Sequence, residues 1–212
     1  DEEALRLAYK AGCRGMLVGL ESFDEQNLLD YQKKLNVRSL DRYQQLIDTF
    51  HRCGIAVFGA VIVGADNDRV GSVKQAMETA IRLGVDILQM TTLTPLPGTQ
   101  LFEEFQAAGR IIADNYPKDW EKYTFINTVI KPKHMTAQEL DDEVFLLRRG
   151  AVEQRWVLRR TLKTLLRTRS LSTAWFVHGM NNGFRRMARS LVQWDGSQFK
   201  HLANCPAMKI PH

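Results

Sequence analysis

Three strand-like runs, each followed by an amphipathic helical segment, most constrain what this chain can fold into. The runs cover residues 15–20, 56–63 and 87–93, and each leads into a glycine or proline turn that carries polar groups. Successive parallel strands need long crossover connections, which helices usually supply. Barrel and open α/β enzymes place their ligands at the carboxyl ends of such strands. The pattern therefore predicts a βαβαβα series with a functional site at one end of its sheet.

The middle run is the clearest strand. Residues 55–65 are all apolar or glycine, are rich in valine, and form a run too short to cross a membrane. Such a run is typical of a strand buried on both faces, because helices cover both sides of a parallel sheet. Helical periods flank it over residues 39–53 and 70–83. Ser39 is the expected N-cap of the first of these helices, and Gly54 is its expected end.

The charge divides the chain into two parts. Residues 1–130 carry 14 Lys and Arg against 18 Asp and Glu, a net charge of −4, whereas residues 131–212 carry 15 against 6, a net charge of +9. These two values give the net charge of +5 for the whole chain. The alternation of strands and helices also stops near Lys131. We therefore expect an α/β unit followed by a helical extension.

Helical patterns fill most of that extension. A capping-box pattern at residues 136–139 opens a helix that should run to Leu165 with a break near Gly150. A second helix is expected over residues 171–194, and the tail after Gly196 has no clear period.

Composition excludes several classes of protein. No stretch reaches transmembrane length and no signal peptide is visible, which favours a cytoplasmic protein. Cys13, Cys53 and Cys205 lie far apart, so they are expected to be reduced thiols and form neither a disulfide framework nor a metal-ligand cluster. No pair of histidines has metal-binding spacing. A barrel aldolase that uses a Schiff base is disfavoured because the three strands carry no lysine.

The turns of the α/β unit resemble those of a known superfamily. They are the Gly-Leu-Glu-Ser of residues 19–22, the Gly-Ala-Asp of residues 64–66 and the Thr-Pro-Leu-Pro-Gly-Thr of residues 94–99. In this order they resemble the second half of the radical SAM core, most closely that of its cobalamin-binding branch. The resemblance implies an α/β fold in which residues 1–130 form the second half of a partial (βα)6 TIM-like barrel, with three parallel strands. Residues 131–212 would be the α-helical extension of that branch.

The resemblance also implies cofactors and a reaction. The superfamily binds S-adenosylmethionine on a [4Fe–4S] cluster and cleaves it reductively, here for methyl transfer or ring formation on a substrate that the sequence does not identify. Cobalamin would be a further cofactor. The Cys-x3-Cys-x2-Cys loop that holds the cluster is absent from this sequence. The cluster ligands are therefore expected in a missing amino-terminal half, and this chain alone is expected to be an inactive fragment.

Eight residues at the strand ends match positions that hold the nucleoside of S-adenosylmethionine. The resemblance assigns the ribose contact to the end of the first strand, where a carboxylate can accept hydrogen bonds from both hydroxyls of a diol. The other interpretation of that end is a cap for the following helix. The second strand would lie beside the adenine and the third beneath the nucleoside. The implied cofactor-binding residues are Glu21, Ser22, Val61, Ile62, Val63, Gly64, Gln89 and Thr91.

A run of basic side chains in the extension allows two interpretations. Within residues 148–169 its only acid is Glu153, and its members are Arg148, Arg149, Arg155, Arg159, Arg160, Lys163, Arg167 and Arg169. The run is either a solvated helix face or a contact for an anionic surface such as lipid headgroups or an acidic substrate. No nucleic-acid-binding motif accompanies it, so nucleic acid is not an expected partner. A non-catalytic scaffold half-domain that contacts such a surface is the alternative to an enzyme.

Overall fold

A parallel sheet with helices forms the first part of the molecule. The computed structural model describes residues 1–151, 153–195, 199–202, 205, 206 and 208. In this described part, one sheet contains three parallel strands in the order β1–β2–β3. They are β1 (Gly15–Glu21), β2 (Ala56–Val63) and β3 (Ile87–Thr92). The α/β class, the three strands and their parallel order are confirmed.

Helices connect the strands and make up most of the extension. They are α1 (Glu2–Lys10), α2 (Glu25–Asp30), α3 (Lys34–Ser39), α4 (Tyr43–Arg52), α5 (Ser72–Leu83), α6 (Gln100–Ala107), α7 (Ala137–Ala151), α8 (Gln154–Thr168) and α9 (Leu171–Asp195). Short 3-10 turns cover Leu40–Arg42, Lys118–Lys122 and Lys200–Leu202. The capping box is present, since Thr136 Oγ1 accepts from the Glu139 amide at 3.1 Å and Glu139 Oε2 accepts from the Thr136 amide at 2.7 Å. No helix of the described residues is long and apolar enough to cross a membrane.

The helix that we expected over residues 39–53 begins later than predicted. Ser39 is the last residue of α3, and its side chain makes no capping hydrogen bond. The apolar period continued through this region because Leu40, in the 3-10 turn, packs against the same core as Tyr43 in α4. Gly54 ends α4 as predicted, with a φ of 82° and the Tyr9 ring 2.8 Å from where a Cβ would lie.

The prediction that β2 is buried on both faces is wrong. Its side chains alternate: Val57 and Val61 are buried against α4 and α5, whereas Ala60 and Ile62 are partly exposed. On this second face α9 covers only the amino-terminal end, where Val177 packs against Ala56. The remainder, which we call the open face, is shared by the three strands, and at its carboxyl end Ile62 packs against the core cluster that contains Phe105 and Val129. The open face consists of Leu17, Gly19, Ala60, Ile62, Gln89 and Thr91.

A buried polar cluster joins the extension to the amino-terminal ends of the strands. Asp86 Oδ2 accepts hydrogen bonds from His51 Nε2 and from the Val57 amide, both at 2.8 Å. Its Oδ1 accepts from Thr164 Oγ1 of α8 at 2.5 Å. Burial alone would raise the pKa of Asp86, but His51, Thr164 and the Val57 amide outweigh it and hold that pKa below its usual range. The cluster therefore holds a charged carboxylate between α4, the sheet and α8.

The extension also caps a helix of the α/β unit. The Glu143 carboxylate in α7 accepts from the amides of Gly71 and Val73, and the latter bond is 3.2 Å long. These amides begin α5, which has no side-chain cap of its own at Gly71. The extension breaks near Gly150, since α7 ends at Ala151 and α8 begins at Gln154. The domain boundary near Lys131 stays a prediction, and most of the tail after Gly196 lies outside the described residues.

Candidate functional site

The carboxyl end of β1 directs a carboxylate over the open face. Glu21 has a φ of 63° and follows a register shift between Gly19 and Glu21. A Cβ built at Gly19 would lie 2.9 Å from Glu21 Oε1, so the Glu21 side chain lies directly over that glycine. Lys33 Nζ lies 3.0 Å from the same oxygen. Because this side chain is only 19% exposed, its carboxylate lies in a partly desolvated position.

Neighbouring side chains hold this irregular strand end in place. Asn36 Nδ2 donates to the carbonyls of Gly19 and Leu20, at 2.8 and 3.2 Å. The Tyr43 hydroxyl donates to the Leu20 carbonyl at 3.2 Å. A non-glycine residue at positive φ costs of order 1–3 kcal/mol and persists where its surroundings fix it. The site therefore contains a strained backbone position that carries a carboxylate.

The residue that caps α2 is not Glu21. Asp24 is the N-cap, and its Oδ1 accepts from the Asn27 amide at 2.8 Å. Ser22 is buried, and its Oγ accepts from the Asp24 amide at 3.0 Å. Glu21 makes neither of these contacts. The capping interpretation of Glu21 therefore has no support in the structure.

The three residues at the end of β2 do not all direct their side chains to the open face. Ile62 lies on that face, whereas Val61 and Val63 are buried on the opposite side, against α4 and α5 and against α5 and α7. Only the backbone of those two valines can approach a ligand on the open face. Gly64 has a φ of 85°, and the Leu140 side chain occupies the place of a Cβ. The packing of α7 thus accounts for the glycine without a ligand.

Two aspartates fix the loop after β2. Asp68 Oδ2 accepts from the amides of Gly64 and Ala65, at 2.8 and 3.1 Å, and its Oδ1 accepts from Asn27 Nδ2 at 2.9 Å. Burial raises the pKa of Asp68 despite these donors. Ser22 and Asp68 both line a polar cavity of about 430 Å³ at the ends of β1 and β2.

The second aspartate ties the loop to the segment after α6. Arg110 contacts both oxygens of Asp66, at 3.0 and 2.6 Å, and Lys133 Nζ lies 2.7 Å from Oδ2. Burial acts to raise the pKa of Asp66, but the two cations lower it more strongly, so it stays below its usual range. Because Arg110 and Lys133 already contact both oxygens of the Asp66 carboxylate, Asp66 is not a ligand candidate.

Gln89 and Thr91 lie on the open face beside a second cavity. This space of about 390 Å³ lies between β3 and the extension, and its lining is mostly apolar, with Leu147, Trp156 and Phe184 among its walls. The eight predicted residues therefore do not line one cavity. The structure places Glu21, Ile62, Gln89 and Thr91 around the open face, with Ser22 in the polar cavity next to it.

Sequence reasoning missed Tyr31. Its ring, like Ile62, packs against the core cluster that contains Phe105 and Val129, and its buried hydroxyl has no hydrogen-bond partner among the residues that the structure describes. Burial raises the pKa of Tyr31, and the carboxylates of Asp68, Asp66 and Glu21 raise it further. A buried hydroxyl left unpaired costs about 1–3 kcal/mol, so this one is a candidate to bond a ligand. Tyr31 lies outside any periodic segment, and only its position in space makes it visible.

The described residues do not fit an iron–sulfur cluster. Within them no group of three or more His, Cys, Asp and Glu side chains could hold a metal ion. Cys13, Cys53 and Cys205 are free thiols in the described part of the chain.

A parallel sheet with polar groups at its carboxyl ends defines the molecule as an α/β unit with a candidate ligand site, and comparison with known proteins narrows the class of protein. No protein-family model matches the chain. It is 27% identical over 184 residues to bacteriochlorophyllide d C-12(1)-methyltransferase of Chlorobaculum tepidum, covering 87% of this chain and 38% of that protein. It is 28% identical over 131 residues to the C-8(2)-methyltransferase of the same organism, covering 62% and 28%.

A cyclase shows the same degree of similarity. The chain is 27% identical over 144 residues to anaerobic magnesium-protoporphyrin IX monomethyl ester cyclase of Cereibacter sphaeroides, covering 68% of this chain and 22% of that protein. The chain thus spans well under half the length of these relatives. These similarities to methyltransferases and a cyclase support an enzyme of the radical SAM superfamily.

Proposed function

We propose that the chain is the carboxyl-terminal half of the core of a radical SAM enzyme of the cobalamin-binding branch. In this proposal β1, β2 and β3 are the last strands of a partial (βα)6 barrel, and a missing amino-terminal half continues the sheet beyond β1. The open face supports it. Leu17 is an apolar residue of β1 on that face and is 64% exposed. An uncovered apolar face beside an unpaired strand edge is a liability that the missing strands would remove.

The observation that carries the proposal is the carboxylate of Glu21 over Gly19. Gly19 pairs with Ala60 in the sheet, so beside the carboxylate lies a second small residue, over which the ribose of a nucleoside could approach it. Glu21 would accept hydrogen bonds from ribose hydroxyls, Ile62 would contact the base, and the Tyr31 hydroxyl would donate to the ligand. The residues present therefore fit the nucleoside part of S-adenosylmethionine.

In this proposal the two halves of the enzyme bind different cofactors. Together with a reduced [4Fe–4S] cluster, S-adenosylmethionine supplies the radical chemistry. The described residues here bind and orient the nucleoside, and the missing half would hold the cluster. The reaction class, methyl transfer or ring formation, is supported by the names of the relatives, which also favour an enzyme over a scaffold. Cobalamin is proposed from the branch alone, and no residue of this chain is assigned to it.

Anaerobic reconstitution tests the proposal. We expect the longer enzyme to bind a [4Fe–4S] cluster and to release 5′-deoxyadenosine from S-adenosylmethionine under reducing conditions. We expect this chain alone to take up no stoichiometric cluster, because a cluster requires a set of cysteine ligands that the chain lacks. Iron and sulfide analysis of both proteins gives the answer. Four irons per isolated chain, or a longer enzyme that forms no 5′-deoxyadenosine, would contradict the proposal.

Tyr31→Phe should weaken cofactor binding without unfolding the chain. The change removes one hydroxyl that is unpaired within the described residues, so affinity for S-adenosylmethionine should fall about threefold to tenfold while stability is unchanged or slightly higher. Titration calorimetry on the reconstituted enzyme, with a thermal melt of each variant, measures both. Tyr123→Phe is the matched control, because the Tyr123 hydroxyl already donates to the Ala113 carbonyl at 2.9 Å. That control should lose stability and keep its affinity; the reverse pattern would remove Tyr31 from the site.

A further inference from the structure

We propose that α8 and the start of α9 form a surface that binds anionic lipid membranes. Nothing in the proposed radical chemistry requires such a surface, and the inference is independent of it. It rests on an exposed apolar patch, on the charge around that patch and on its position in the fold.

The apolar part is a patch of five large side chains, which we call the leucine–tryptophan patch. Its members are 55% to 77% exposed, although they belong to helices that bury other residues well. They are Leu158, Leu162, Leu166, Leu171 and Trp175. The three leucines of α8 recur every four residues and so lie in one line along the helix. Exposed apolar residues that gather in this way mark an interaction surface.

The line of leucines on α8 and the start of α9 lie side by side. α8 packs against α9, and only Arg169 and Ser170 separate the two helices in sequence. His178 Nδ1 lies 3.2 Å from Thr161 Oγ1, and the Trp175 ring stacks on His178 with centroids 5.9 Å apart. Trp175 therefore lies next to the line of leucines.

The segment that carries the patch has only positive charges. Residues 154–194 contain nine Lys and Arg and no Asp or Glu. On α8, Arg159, Lys163 and Arg167 each follow a leucine of the patch by one position, so a basic line runs beside the apolar one. The basic run is nevertheless not one solvated face. Arg160 is buried and donates to the carbonyls of Val85 and Asp86, the latter at 2.9 Å.

This combination favours a membrane over other anionic partners. An apolar line beside a basic line, with a tryptophan at one end, is the pattern of a helix that lies in a lipid interface. Acidic headgroups attract the basic side chains, and the acyl boundary takes up the leucines. A nucleic acid would use the charge but leave the leucines exposed to water, and a second copy of this basic surface would repel the first.

The surface lies away from the candidate cofactor site. Thr173 Oγ1 donates to the Gly54 carbonyl at 2.5 Å, just before β2, and Asn181 Nδ2 donates to the Asp86 carbonyl at 3.1 Å, just before β3. These contacts place the start of α9, and with it the patch, at the amino-terminal ends of the strands. Glu21 lies at the opposite end. Membrane contact and cofactor binding can therefore be tested separately.

Sedimentation with vesicles tests the proposal on the chain itself. We expect binding to vesicles of phosphatidylcholine mixed with phosphatidylglycerol, weaker binding as salt rises, and little binding to phosphatidylcholine alone. The fluorescence of the chain should shift to shorter wavelength with the anionic vesicles, and Trp175→Phe should remove most of that shift.

Matched substitutions separate the apolar and the basic contributions. Leu162→Gln should weaken binding roughly tenfold by removing one exposed leucine that the lipid would bury. Lys163→Glu should also weaken it roughly tenfold through charge. Leu35→Gln and Lys34→Glu, at exposed positions of α3, are the controls and should change binding by less than about twofold. A thermal melt of each variant verifies that the fold is retained.

Several results would overturn the proposal. They are no vesicle binding, equal binding to neutral vesicles, or equal losses in the patch and control variants. Patch substitutions that dissociate a dimer seen by sedimentation velocity would assign the patch to a second copy of the chain. An RNA oligonucleotide that displaces the chain from vesicles and binds the Leu162→Gln variant undiminished would assign the surface to nucleic acid.

Discussion

Replacing Asp86 with alanine is expected to lower the free energy of unfolding by about 3–5 kcal/mol, because it leaves three buried hydrogen-bonding groups without their acceptor and each unpaired group costs about 1–3 kcal/mol. Those groups are the His51 ring, the Val57 amide and the Thr164 hydroxyl, all of which donate to this carboxylate. Chemical denaturation of wild type and variant measures the change. Since the cluster joins α8 to the sheet, the variant should also lose protection from hydrogen exchange first in α8 and α9.

A partly exposed carboxylate provides the control. Asp142 accepts from His201 Nε2 at 3.0 Å, its side chain is 22% exposed, and Asp142→Ala should cost no more than about 1 kcal/mol. The pH dependence has a definite sign. Because the folded-state pKa of Asp86 is depressed, its contribution is present above the unfolded value and is lost as the pH falls through the folded pKa. The difference in the free energy of unfolding between wild type and Asp86→Ala should therefore become smaller in acid. If Asp86→Ala and Asp142→Ala lose the same free energy of unfolding, the cluster does not stabilise the fold.

Local chemistry explains which features of the fold could be predicted from sequence. The strands were predictable because short apolar runs between segments with a helical period are typical of buried strands. The cap at Thr136 was predictable because its bonds join groups three residues apart, and the structure confirms it. Ser39 shows the limit of this reasoning: its neighbour Leu40 packs into the core from a 3-10 turn, which preserves the apolar period while the helix is interrupted.

Long-range contacts explain what could not be predicted. The basic run suggested a uniform face, but Arg160 is buried against the loop before β3, and Arg149 Nη1 donates to the Leu202 carbonyl at 2.8 Å. Lys33 and Tyr31 belong to the candidate site only because the segment after α2 returns to the end of β1. The alternation of buried and partly exposed side chains in β2 also depends on which distant segments pack against each face of the strand. The apolar sequence of that strand is typical of burial on both faces, yet in this chain one face is covered only in part.

Glu21→Ala is expected to weaken binding of S-adenosylmethionine by the reconstituted longer enzyme about tenfold to a hundredfold. A hydrogen bond to a charged acceptor contributes roughly 1.5–3 kcal/mol, and this carboxylate is partly desolvated over the open face. Stability should change much less, because the Lys33 pair is partly exposed and such pairs contribute about 1 kcal/mol or less. Titration calorimetry and a thermal melt of the same samples measure the two quantities.

Asp24→Ala separates a ligand contact from a helix cap at the same strand end. Asp24 caps α2, so its loss should cost about 0.5–2 kcal/mol of stability and leave the affinity for S-adenosylmethionine unchanged. Glu21→Gln adds a further distinction, because it keeps the size of the side chain and its place over Gly19 but removes the charge. If charge-assisted bonds to the ribose hydroxyls hold the cofactor, this variant should lose most of the affinity that alanine loses. Affinity that stays at the wild-type level in both Glu21 variants would exclude the carboxylate from the site, and the case for the open face would then rest on Tyr31.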